Sequence, residues 1–114
     1  MNKELLDQFN IELKSFELAF KHKNHKECFY FLSRAHILSQ KSVRLHLRTH
    51  WLMFQYSLKN KNYQEVRGQV LRLIVTIPGH LFGKVPVGNI GWATVKLTET
   101  MEIPEDLKQI YFKA

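Results

Sequence analysis

Four apolar stripes at helical spacing, each ended by a polar break, narrow the fold of this chain more than any other feature. Leu5, Leu6, Phe9, Leu13, Phe16 and Phe20 recur at three- and four-residue steps, which puts them on one face of a helix. HKNH at 22–25 interrupts that stripe, and Cys28, Phe31, Leu32, Ala35 and Leu38 make a second, ended by SQKS at 39–42. Val43, Leu47, Trp51, Phe54 and Leu58 run to KNKN at 59–62, and Val66, Val70, Leu73 and Ile77 run to Pro78-Gly79. The stripes predict an all-α chain with helices over 1–22, 25–40, 42–60 and 63–77. Connections this short make successive helices antiparallel neighbours, with the stripes facing inward.

The second and fourth stripes belong to an internal repeat. FELAFKHKNHKECFYFLSRAHIL (16–38) aligns without gaps on FQYSLKNKNYQEVRGQVLRLIVT (54–76), an offset of 38 residues. Each copy straddles a helix–turn–helix, so the chain resembles two stacked tetratricopeptide-like helical hairpins, each burying the apolar face of the other. Beyond Gly79 the character changes. GKVPVGNIGWATVKL (83–97) carries three of the five glycines and cannot be a helix interior, so 79–100 is expected to be a loop that covers the helices. Pro104, Glu105 and Asp106 favour the start of a short helix over 104–112, docked by Leu107, Ile110, Tyr111 and Phe112. The expectation is one helical domain over 1–114.

Composition removes several function classes. At 114 residues and 45% apolar, the chain has a real core, yet no apolar run approaches the roughly 20 residues of a membrane span. MNKELLDQFNIELKSF is amphipathic and charged, with no apolar leader segment, and the single Cys28 allows neither an internal disulfide nor a multi-thiolate zinc site. The expected compartment is the cytoplasm. A net charge of +7 permits an acidic partner. Its lysines cluster in the turns (Lys21, Lys23, Lys26, Lys59, Lys61) and are not interleaved with aromatics, which disfavours nucleic acid and leaves a protein partner or self-association open.

The polar residues converge more than the charge does. In RAHILSQKSVRLHLRTH (34–50), a turn near Lys41 sets His36 level with His46, and His50 lies one turn beyond His46 on the same side. Gln40 is one turn from His36. Glu65, Gln69 and Arg72 form a polar line on the fourth helix, and pairing about Lys61 sets Arg72 opposite His50 and Gln69 opposite Phe54. Imidazoles and a carboxylate inside a bundle are ligands for zinc, copper, iron or manganese, and three imidazoles with an open fourth position suit zinc. His36, His46, His50 and Glu65 are therefore the candidate ligands, with Gln40, Gln69, Arg72 and Asn89 around them. A structural hydrogen-bond network is the alternative. An anion or small-molecule pocket is another, since Arg72 repels a cation and would bridge Glu65 or hold an anion. Asn89 fits a tight turn, or an amide closing over the groove. His22, His25 and His80 fall in turns and read as surface residues. No serine nucleophile motif is present, Cys28 lies on a buried stripe that raises its pKa, and VPVGNIG lacks the pattern of a phosphate loop.

RAHILSQ, HLRTHWLM, EVRGQVLRLI, GKVPVGNIG and MEIPEDL, in this order from about Phe16 to Leu107, resemble a small bacterial family catalogued as a domain of unknown function. The family pattern falls on His36, Gln40, His46, His50, Glu65, Gln69, Arg72, Pro86, Gly88, Asn89 and Gly91. Ser39 stands where a glycine is more usual, and Trp92 follows Gly91. The resemblance implies a cytoplasmic helical protein, often encoded near heavy-metal resistance or efflux genes, with no assigned activity. The leading expectation is a binding protein whose His/Gln/Glu groove takes a transition metal. A helical-repeat interaction module without metal comes second, and a metal-dependent enzyme third.

Overall fold

The computed structural model describes residues 2–114. Five helices follow in order: α1 (Lys3–Lys21), α2 (His25–Ser39), α3 (Val43–Lys59), α4 (Tyr63–Leu81) and α5 (Glu105–Lys113). Among the described residues there is no strand. α1 packs on α2 and α3 on α4 as two hairpins, α2 joins them through α3, and α5 returns to α1.

Local chemistry sets the boundaries. Asn2, Asn24, Ser42 and Asn62 each cap a helix start with a side-chain oxygen that accepts from the first turn. The turns at 23 and 61, related by the repeat offset, are built alike: Lys23 and Lys61 have φ of 56° and 57°. The asparagine that follows each lysine then accepts from the backbone N–H of Glu27 or Glu65. α4 differs from the expected stop at Pro78-Gly79. It runs on to Leu81 with Pro78 inside it, where Pro78 has no N–H to give the carbonyl of Ile74, a residue on the exposed face of the helix. Gly83, at φ +65°, ends the helix as Lys84 N–H reaches the Gly79 carbonyl.

Leu5, Phe9 and Leu13 of α1, Cys28, Leu32 and Leu38 of α2, and Leu107 and Tyr111 of α5 make the apolar core, while Phe112 points outward. The other two stripes fail the expectation. On α3 the buried face is Leu45, His46, Thr49, His50, Met53 and Ser57, and Val43, Trp51 and Leu58 are exposed. On α4 the buried line is polar, Glu65, Gln69, Arg72 and Thr76, and Val70, Leu71, Ile74 and Ile77 lie outside. Polar faces can be buried here because they are hydrogen-bonded: the hydroxyls of Thr49, Ser57 and Thr76 donate to carbonyls one turn earlier. No helix among the described residues is long and apolar enough to cross a membrane.

Buried Arg34 ties three helices together. It donates to both oxygens of buried Glu12 at 2.9 and 3.1 Å, and to Asp106 of α5 at 3.1 and 2.6 Å. Removing it leaves buried Glu12 without a cation, with only Gln8 donating to it, so Arg34→Ala should cost about 3–5 kcal/mol in urea unfolding, and Asp106→Ala, at the exposed end, about 1 kcal/mol or less. Equal losses would contradict this account.

Candidate metal centre

The loop from Gly83 to Pro104 is fastened by polar residues of α2, of its C-cap Gln40 and of α4. Gln40 donates to the Pro86 carbonyl at 2.8 Å and accepts from the Gly88 N–H at 2.9 Å. Glu65 accepts from the Ala93 N–H at 2.7 Å. Arg72 donates to the carbonyls of Gly68, Trp92 and Val95, and not to Glu65, so its guanidinium clamps the loop. The Asn89 amide donates to the Lys96 and Glu99 carbonyls and its oxygen accepts from Gly91 N–H, which shapes the loop and does not close the groove. Trp92 is buried with its indole N–H on Ser33. Gly91, at φ +89°, passes so close to His36 that a Cβ there would overlap the imidazole ring.

Beneath the loop, the histidines use their two ring nitrogens differently. His36 Nδ1 faces the Asn89 carbonyl at 2.6 Å, which only accepts, so Nδ1 carries the proton. His50 Nδ1 faces Gln69 Oε1 at 2.7 Å. The Gln69 amide nitrogen is spent on Glu65 Oε2 at 2.8 Å and the Gly91 carbonyl at 3.0 Å, which fixes its orientation and again puts the proton on Nδ1. Gln69, not Arg72, therefore faces His50. Glu65 stands behind Gln69 and touches none of the three rings. His46 Nδ1 lies 2.8 Å from His80 Nε2.

The three Nε2 atoms point at one another, 3.0 Å (His36–His46), 3.1 Å (His36–His50) and 3.2 Å (His46–His50) apart. With His36 and His50 protonated at Nδ1, the edge between them holds no hydrogen while the rings are neutral, and two lone pairs face each other. Among the described residues every buried side-chain polar atom has a polar neighbour, but for these nitrogens the neighbours are other imidazoles. A cation bound among the three would resolve the conflict. The three residues can hold a metal ion. Imidazole nitrogens this close together would be able to share one ion at the roughly 2.0–2.1 Å of a zinc–imidazole bond. A cavity of about 350 Å³ borders all three rings.

His80 corrects the sequence reading. It is half-buried and bonded to His46, whereas His22 and His25 are exposed. Placing the helix end at Pro78 hid it: the buried line of α4, 65–69–72–76, continues to 80 only if the helix does.

Electrostatics keep the rings neutral. Burial, then the neighbouring His50 and His46, holds His36 well below the ordinary 6.5. Burial, then His50 and His80, pushes His46 down to about 3. For His50 burial outweighs the Gln69 hydrogen bond and leaves about 4. An unfolded chain, with histidines near 6.5, binds more protons than the folded one at pH 5. The stability these rings contribute is thus complete above pH 6.5 and is lost as pH falls toward the folded values. At pH 5 each ring kept neutral costs about 2 kcal/mol. Metal-free protein should therefore unfold at markedly lower urea at pH 5 than at pH 7, with net proton uptake; equal midpoints would contradict the burial of neutral rings.

A family model described as "Protein of unknown function (DUF3703)" matches residues 3–111. No curated protein and no solved structure matches the chain.

Proposed function

The chain belongs to this family of unknown function, and we propose that it is a binding protein for a divalent transition ion, held by Nε2 of His36, His46 and His50. The observation that carries this reading is the converging triangle of Nε2 atoms, 3.0–3.2 Å apart, whose Nδ1 sides are committed to Asn89, Gln69 and His80. Second partners of this kind orient metal-binding imidazoles and make them better donors. Neutral rings are also what a metal requires, since a protonated imidazole has no lone pair to give. Zinc and copper(II) suit an all-imidazole set. Glu65 supports the centre through Gln69 and His50 and is not itself a ligand.

Titrating metal-free protein with zinc in a calorimeter should give one ion per chain. Saturation at about 1,000 times Kd should stabilise the fold by about 4 kcal/mol. His50→Gln, with unchanged helical circular dichroism, should lose both effects. Absence of stoichiometric binding, or a His50→Gln variant that binds as wild type does, would overturn the reading.

One observation favours an interaction module as a second reading. Val70, Ile74, Ile77 and Leu81 are exposed at four-, three- and four-residue steps on α4, the spacing of a helix–helix seam. A second copy of the chain, packed on that seam, would cover it. Light scattering should then report a dimer that Ile74→Glu converts to a monomer; a monomeric wild type at about 100 μM, a Kd weaker than about −5.5 kcal/mol of binding, would contradict it.

A further inference from the structure

The cavity beside the imidazole triangle has a chemistry of its own. Its walls are apolar, formed by Val75, Pro78, Phe82, Val85, Pro86 and Leu97. Its charged lining is cationic: Arg72 and Lys84 border it, and among the described residues no aspartate or glutamate does. Arg72 directs three of its five N–H groups at the Gly68, Trp92 and Val95 carbonyls and adds positive potential to the cavity. Lys84 is exposed at the rim. At about 350 Å³ the space lies at the small end of ligand sites, which run from about 300 to 1,000 Å³.

We propose that this cavity takes a small organic anion with an apolar body, an aryl or branched monocarboxylate, whose carboxylate binds the ion held by His36, His46 and His50. The inference rests on the metal reading above. A divalent ion on three neutral imidazoles keeps its full double charge, next to Arg72 and within apolar walls. An anionic donor offsets that charge at the open position, and neither an amine nor a neutral molecule does. The apolar walls add affinity for the body of the ligand, and Lys84 at the mouth attracts the approaching anion without needing to touch it.

The test uses protein loaded with cobalt(II), whose visible spectrum reports its ligands, and three probes: phenylacetate, acetate and phenethylamine. Phenylacetate should change the spectrum saturably and bind about tenfold or more tighter than acetate, because only it buries a ring. Phenethylamine should leave the spectrum unchanged. Lys84→Glu, an exposed site, should weaken phenylacetate several-fold at unchanged cobalt stoichiometry. Leu97→Trp, which fills the cavity, should weaken phenylacetate and spare acetate. If cobalt binds one to one and phenylacetate is silent or no better than acetate, this inference fails and the metal reading stands. If cobalt does not bind at all, both fail.

Discussion

Three imidazoles that each commit Nδ1 to the protein and turn Nε2 toward the other two are the constraint around which this molecule is arranged. The commitment on the Nδ1 side organises the fold: His36 holds the loop at Asn89, His50 holds Gln69, and Gln69 holds both Glu65 and the loop at Gly91. The Nε2 side is left with nothing but other nitrogens, 3.0–3.2 Å away. A structural network alone would explain the first set of bonds. It does not explain the second, because a neutral triangle with two Nδ1–H tautomers has one edge where acceptor faces acceptor.

This constraint also explains the inversion of the second hairpin. α1, α2 and α5 bury apolar stripes in the ordinary way, tied by Arg34 to Glu12 and Asp106. α3 and α4 turn polar residues inward and leave Val70, Ile74 and Ile77 outside. Apolar burial was available to α4 and is not used; the line 65–69–72–76 faces the loop, where its hydrogen bonds are needed. Helix α4 thus has two distinct faces, a buried polar one against the loop and an exposed apolar one.

Much of this was legible in the sequence, for reasons that differ by element. The hairpins follow from stripe spacing and the polar breaks, and α2, α3 and α4 start at His25, Val43 and Tyr63 against the expected 25, 42 and 63. The convergence of His36, His46 and His50 follows from a turn near Lys41 and an i, i+4 pair. The polar line of α4 is set at the groove by the sequence, as the structure has it, but the exposure of its apolar stripe was not legible, because periodicity finds two faces on a helix and does not say which is buried when the polar one can be satisfied. Register across the 59–62 turn was off by one helical step, enough to set Arg72 where Gln69 stands. His80 lay beyond the expected helix end because proline ordinarily stops a helix, and α4 passes Pro78 to reach Leu81. The role of Gly91, to let the loop lie against the His36 ring, depends on a close approach that spacing does not encode.

Nitrogen-15 NMR of the imidazoles tests the central claim most directly, since it reads tautomers without requiring activity or affinity. Metal-free protein at pH 7 should show His36 and His50 as Nδ1–H tautomers, and one equivalent of zinc should shift Nε2 of His36, His46 and His50 while Nδ1 stays protonated. Nε2–H tautomers at His36 and His50, with no change at Nε2 on adding zinc, would contradict it.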